Sequence, residues 1–305
     1  MNKINKLITE SYNPKSENLD NMPVIEILKL MNEEDMNIPK AISDVLPEIE
    51  QAVEAVNDSF NNGGRLFYIG AGTSGRIGLL DAVECPPTFG TPYEKVQAIL
   101  AGGEKAMMIA VEGAEDDYDL GQLDLKERDL KSTDVVVGIA ASGRTPYVKG
   151  ALKYAQEIGA TTISLTSNKN AEISEYAKIK IEVETGPEVL TGSTRLKAAT
   201  AHKMVLNMIS TASMVKQGKV YKNLMVDVHA TNYKLRERAK TIVCEATGVS
   251  YDVAEKVLLE TDFSVKPAIV MLLADVSFEE AKTLLNQHQG FVKKAIGENK
   301  QQSVK

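Results

Sequence analysis

The 305-residue chain is poor in cysteine, with only Cys85 and Cys244. Two cysteines are too few for a disulfide framework, and neither sits in a histidine-containing cluster at zinc spacing. No run of about 18 apolar residues occurs, which excludes a membrane-spanning helix, and Met1 to Glu10 contain no apolar segment of a signal peptide. Positive charge is also scarce. Against 42 acidic side chains stand 35 lysines and arginines, giving a net charge of -7, which excludes a general binder of nucleic acid or of anionic membranes. These absences point to a soluble cytoplasmic protein with no nucleic-acid and no membrane partner, in which an anionic ligand must be held locally.

What is present is ample core material: 43% of the residues are hydrophobic, enough at this length for one large domain and a smaller one. The pattern centres on residues 65–90. Leu66 to Ile69 is an apolar run of strand length, Gly70, Gly72 and Gly75 break the period, and helical spacing resumes at Ile77. Two helices are expected between Pro23 and Asn61. Further strands are predicted at 96–100, 135–140, 161–165 and 177–183. Helices are predicted from Gly102 to Glu112, over 119–130, over 147–158 and over 171–176. Alternating strands and helices with near-continuous apolar strands predict an α/β fold, a five-stranded parallel sheet with helices on both faces and ligands at the carboxyl ends of the strands. A long helix over 195–217, capped by Ser193 and Thr194, and another over 232–247 follow. Three short amphipathic patterns near 251–260, 266–274 and 278–288 then predict a small all-α three-helix module before a polar tail from Glu298. The expected division is a helical segment over 1–62, the α/β domain over 63–230 and a C-terminal helical region over 231–298.

Three turns combine glycine with hydroxyls beside a strand end or a helix start: Gly70-Ala-Gly-Thr-Ser-Gly75, Ala141-Ser-Gly-Arg-Thr145 and Thr191-Gly-Ser-Thr-Arg195. Glycine lets the backbone approach a ligand closely, and hydroxyls and amides at a helix start suit a phosphate. The first turn also matches the G-x-G-x-x-G spacing of a dinucleotide site. The acidic residue expected about 20 residues on, at the end of a second strand, would instead fall near Pro92. No Gly-Lys-Ser/Thr follows the turn, which excludes a P-loop. Thr73, Ser74, Ser142, Gly143, Thr145, Ser193 and Thr194 are thus the candidate phosphate ligands, with Arg76, Arg144 and Arg195 ranked second. The plainer alternative makes the hydroxyls helix caps and pairs the arginines with surface carboxylates. His202, seven residues after Arg195 and on the same helix face, is either a ligand contact or a satisfied interior group.

Together the three turns resemble the sugar isomerase (SIS) domain, which binds phosphosugars in a flavodoxin-like three-layer α/β/α fold. Four longer motifs, Asp81-Ala-Val-Glu-Cys-Pro-Pro-Thr-Phe-Gly90, Ala101-Gly-Gly-Glu104, Val111-Glu-Gly-Ala-Glu-Asp-Asp117 and Gly192-Ser-Thr-Arg-Leu-Lys197, resemble in that order the N-acetylmuramic acid 6-phosphate etherase family. The resemblance implies cleavage of the D-lactyl ether of N-acetylmuramic acid 6-phosphate to N-acetylglucosamine 6-phosphate and D-lactate, in peptidoglycan recycling. It also implies a cytoplasmic homodimeric carbon–oxygen lyase with no metal or nucleotide cofactor, and a C-terminal module similar to small ubiquitin-associated (UBA-like) bundles. It assigns the two proton carriers to Glu84, the general acid toward lactate, and Glu115, its acid/base partner. Without it, Glu84 reads as a helix end before Pro86 and Glu115 as a helix cap beside Asp116. A phosphosugar sensor without turnover and a phosphosugar isomerase are the competing readings. If residues 74–84 form one helix, Glu84 lies about 15 Å of axial rise beyond Ser74, further than a hexose phosphate spans from phosphorus to C3. Glu84 then serves a partner subunit's site, or the helix breaks early.

Overall fold

Near-continuous apolar runs form the five parallel strands expected of them: β1 (Leu66–Gly70), β2 (Val96–Leu100), β3 (Val135–Ile139), β4 (Thr161–Thr166) and β5 (Ile179–Glu182). Every residue of β1 and β3 is buried, because both faces of a parallel sheet are covered by its crossover helices. The computed structural model describes residues 7–228 and 232–302, the last five by backbone alone. The first six residues of the helical segment expected over 1–62, the domain boundary expected at 230–231 and the end of the polar tail lie outside the described residues.

Strand order is β2-β1-β3-β4-β5. The connection reverses direction between β1 and β3, and at such a switch point the loops leaving the carboxyl ends diverge to open a crevice. Paired register sets Gly70 beside Ile139, so the glycine turn after β1 and the turn after β3 emerge side by side. On one face, Phe67, Ile69, Val136 and Ile99 pack with Leu125, Tyr147 and Leu152 of α6 (Tyr118–Glu127) and α7 (Pro146–Ile158). On the other lies α4 (Gly72–Phe89), where a side chain at Gly78 would meet Tyr68 Cβ at 2.9 Å and Ile139 Cδ1 at 3.3 Å. The flavodoxin-like three-layer arrangement is therefore present.

Three α-helices, not two, precede β1: α1 (Val24–Asp35), α2 (Asn37–Ser43) and α3 (Leu46–Asn61). A break at Met36 divides what the periodicity joins, and Pro47 begins α3, where its missing N–H costs nothing. The helix expected from Gly102 to Glu112 shrinks to α5 (Lys105–Met108), with Ile109 exposed, and 171–176 is a 3-10 turn over Glu172–Tyr176. The long helix is α8 (Lys197–Lys216), two residues later than expected.

Contacts divide the chain into two units, Met1–Val83 with Glu94–Ser210, and Glu84–Tyr93 with Thr211–Lys305. The second unit holds a hairpin, β6 (Val220–Tyr221) and β7 (Leu224–Met225), that no sequence pattern announced. It also holds α9 (Tyr233–Thr247), α10 (Tyr251–Glu260), α11 (Val265–Ala274), α12 (Phe278–Gln287) and α13 (Val292–Gln302). The three expected short helices are α10 to α12, and a fourth follows. Helix α13 joins this core through Val292, Ala295 and the partly buried Ile296, a short apolar signal that the adjoining polar tail obscures.

Candidate active site at the carboxyl ends of the strands

The turn after β1 is shaped by backbone crowding. A Cβ at Gly75 would lie 2.5 Å from the Gly70 carbonyl oxygen, and Gly72 has φ +52°, so the chain folds tightly enough to start α4 only with glycine at these places. Thr73 and Ser74 are half-buried inside the first turn of α4 rather than ahead of it. Their hydroxyls point to no other described residue by hydrogen bond, which leaves them free to meet an anion.

The turn after β3 is fixed from three sides. Gly143, at φ +72°, packs where a Cβ would sit 2.4 Å from Ala171 Cβ, and its carbonyl accepts from Ile173 N–H at 3.0 Å. The Ala141 carbonyl accepts from Ser167 N–H at 3.1 Å and from Asn168 Nδ2 at 2.9 Å. Ser142 Oγ accepts from Arg144 N–H at 3.3 Å. Thr145 occupies the N-cap position of α7, yet its side chain makes no capping bond, so the capping alternative fails for it. Arg144 faces Glu172 at 3.6 Å, the surface pairing foreseen as the plainer reading.

Behind this turn lies His202, fully buried, with Nε2 3.0 Å from Ser167 Oγ. Burial drives its pKa down to about 4, and the nearby Thr166 carbonyl offsets only part of that. It is thus an interior group, neutral at pH 7, whose partner Ser167 also holds the Ala141 carbonyl.

The third turn, 191–195, departs from expectation. Ser193 and Thr194 do not cap α8: the buried carboxylate of Glu188 does, accepting from Lys197 N–H and Ala198 N–H at 3.0 Å each. A carboxylate brought in by the preceding loop satisfies two orphan amides and complements the helix dipole better than a hydroxyl. The first-turn amides of α8 that Glu188 occupies are consequently closed to phosphate. Burial raises the Glu188 carboxyl, against the pull of those amides and of Lys197. Lys197 is itself buried and pairs with Glu34 of α1 at 2.6 Å, while Lys15 holds the other oxygen of Glu34 at 2.9 Å. Burial pushes Glu34 up, but its two lysine partners together hold it below the usual carboxylate range. Arg195 is exposed. The structure ties this turn to the N-terminal segment, whereas the first two are joined by strand register.

Glu115 is exposed, and it lines a pocket of about 180 Å³ with Ala71, Gly72, Arg76, Ala106 and Val111. Its carbonyl accepts from Tyr147 N–H at 3.0 Å, two residues beyond Thr145, so Glu115 sits between the first and second hydroxyl turns. The helix-cap alternative fails here too, since the residue capping α6 is Asp117, whose side chain accepts from Leu120 N–H at 3.0 Å. Glu84 is exposed on α4, in the segment that belongs to the second unit. It does not end a helix, because α4 runs through Pro86 and Pro87 to Phe89. One turn before Glu84, buried Asp81 accepts from Tyr68 OH at 2.9 Å, Asn207 Nδ2 at 2.6 Å and Ser210 Oγ at 3.0 Å. Burial raises its pKa, and these donors pull the other way. Asp81, Glu188, Glu34 and Lys197 were missed as site-building residues because their partners lie far away in sequence.

Glycine and hydroxyl turns at the switch point of a five-stranded parallel sheet define a SIS-fold protein. A SIS domain model matches residues 122–212, and a model of the glucokinase regulatory protein N-terminal SIS domain matches residues 48–156. A Bacteroides fragilis structure, described as a candidate phosphosugar isomerase involved in capsule formation, superposes with a TM-score of 0.51 at 18% identity, covering 68% of this chain and 98% of that one. Sequence relatives narrow the class. The chain is 59% identical over 293 residues to the N-acetylmuramic acid 6-phosphate etherase of Bacillus mycoides, covering 96% of this chain and all of the relative, and equally identical to that of Bacillus anthracis. The chain belongs to the N-acetylmuramic acid 6-phosphate etherase family.

Proposed function

We propose that the protein hydrolyses the D-lactyl ether of N-acetylmuramic acid 6-phosphate, releasing D-lactate and N-acetylglucosamine 6-phosphate, as a lyase-type enzyme of cell-wall amino sugar recycling. The observation that carries this reading is 59% identity to named etherases over 96% of the chain. A carbon–oxygen ether is inert until the sugar opens. The C1 aldehyde then acidifies the C2 proton, a base removes it, and lactate leaves C3 with a proton from a general acid. Water adds to the resulting enal at C3, and the proton returns to C2, so the sum is one water consumed per ether cleaved. Glu84 is the acid toward lactate and Glu115 its acid/base partner, since each step needs a positioned carboxyl. Thr73, Ser74, Ser142, Thr145, Ser193 and Thr194 hold the 6-phosphate through their hydroxyls, and Gly143 shapes the second turn, since its own N–H already donates to the Ala140 carbonyl at 3.0 Å.

The unbroken helix from Gly72 to Phe89 meets the condition of the helix-length argument and supports Glu84 acting in the site of a partner subunit. We take the working form to be a homodimer and its place to be the cytoplasm, where the family resemblance puts both. Incubation with N-acetylmuramic acid 6-phosphate should release D-lactate. Glu84→Gln and Glu115→Gln should each lower kcat by about 10²- to 10⁴-fold, the usual contribution of a general acid or base. Absence of lactate with the wild-type protein, despite binding of the sugar phosphate, would mean that the chain is a sensor.

A further inference from the structure

The pocket that Glu115 shares contains a cation, Arg76, that forms no ion pair among the described residues although Glu112 and Glu115 line the same pocket. Arg76, half-buried in the first turn of α4, donates from Nε to the carbonyls of Ala106 at 3.1 Å and Met107 at 3.2 Å, and from Nη2 to Ala106 at 2.8 Å. These carbonyls fix the plane of the guanidinium without neutralising it. Among the described residues no carboxylate forms an ion pair with Arg76, and Nη1 makes no hydrogen bond. Glu112 and Glu115, the other charged lining residues, are exposed and solvated. The rest of the wall is glycine, alanine and valine. A half-buried guanidinium with an unused Nη1 can exchange water for an anion, and a planar fork favours a carboxylate or phosphate in two-point contact.

Size and position choose between the two anions of the substrate. At about 180 Å³ the pocket is smaller than the roughly 300–1,000 Å³ of a site that encloses a whole small ligand, so it takes one end of the substrate. In the reaction proposed above, on which this argument rests, Glu115 is the acid/base partner of Glu84 and works at C2, next to the C3 substituent. The anion beside it is then the carboxylate on the C3 substituent, not the phosphate at the far end of the chain. We infer that Arg76 is a specificity-determining residue that binds the lactyl carboxylate, with Ala106 and Val111 receiving the lactyl methyl. This contact offsets the repulsion between the lactyl carboxylate and Glu115, and separates the muramic substrate from its product, which lacks that carboxylate.

The test crosses enzyme and substrate changes. Wild-type protein and Arg76→Gln are assayed for kcat/KM on N-acetylmuramic acid 6-phosphate and on its lactyl amide, in which the carboxylate is neutral. The wild type should prefer the carboxylate by about 10- to 100-fold, the yield of a charge-assisted pair, and Arg76→Gln should lose most of that preference. Binding of N-acetylglucosamine 6-phosphate to Arg76→Gln should change less than about twofold, a result that a collapsed turn would not give. An unchanged preference in Arg76→Gln overturns the assignment. If that variant fails to bind the product sugar, Arg76→Lys decides, because its ammonium still reaches the Ala106 carbonyl but cannot form a fork. A reduced preference supports the inference and an unchanged one overturns it. Lactate release by the wild type is scored separately, so failure of the reaction itself is not confused with failure of Arg76.

Discussion

At the scale of single residues, side chains with the same sequence signature separate by what surrounds them. His202 and Arg76 were both possible ligand contacts, yet His202 is sealed inside, bonded to Ser167, while Arg76 keeps an unused edge toward a pocket. The burial of His202 has a measurable consequence. Its folded pKa of about 4 lies below the ordinary 6.5, so as pH falls the unfolded chain takes up the proton first. Stability from this group is complete above pH 6.5, declines as pH drops toward 4, and totals about 3 kcal/mol over that window. Chemical denaturation of wild type and His202→Gln at pH 7 and pH 4.5 should show a steeper acid loss in the wild type. Parallel losses would remove His202 from the account. Glycine and hydroxyl positions at the site were legible in the sequence because a tight turn before a helix has few solutions. The Glu188 cap and the Lys197–Glu34 pair were not legible, since nothing in local spacing names a partner 9 or 163 residues away.

At the scale of elements, close approach is set by glycine. A Cβ at Gly121 of α6 would stand 1.9 Å from the Tyr147 carbonyl oxygen, and one at Gly150 of α7 would stand 2.0 Å from that of Tyr118. Both obstacles are main chain, so no rotamer change relieves them and the helices must part. Gly121→Ala should therefore destabilise the protein by roughly 3 kcal/mol or more, at or beyond the upper end of ordinary overpacking. Gly103→Ala meets no atom within 4 Å and carries only its left-handed φ of +68°, an expected cost of about 1–2 kcal/mol. Denaturation midpoints that rank the two variants the other way would contradict this packing. The same separation shaped what could be read beforehand. Strands and long helices follow from periodicity, whereas the division of α1 from α2, the shrinkage of α5 and the existence of α13 depend on what each segment finds to pack against.

At the scale of the whole molecule, the two proposed proton carriers fall in different units, Glu115 in the first and Glu84 in the second. Because α4 is continuous, the length argument favours a site completed by a second copy. Two inactive variants, Glu84→Ala and a Ser74→Ala, Ser142→Ala double substitution, should recover lactate release when mixed under conditions that exchange subunits. In a random mixture about half of the dimers would be mixed, each with one intact composite site, so recovery should approach about a quarter of wild-type activity. No recovery, with subunit exchange verified, would return Glu84 to its own subunit's site.

The sequence by itself determined the α/β class, the parallel sheet, the three hydroxyl turns beside strand ends or helix starts and the family likeness, because these follow from short-range patterning and from motifs in a set order. Only the tertiary structure decided that α8 is capped by Glu188 rather than by Ser193 or Thr194, that Tyr147 ties Glu115 between two turns, and that Arg76 shares a pocket with Glu112 and Glu115 without an ion pair to any described residue. Those outcomes depend on desolvation and on which groups meet across the fold, and both arise only when distant segments are packed together.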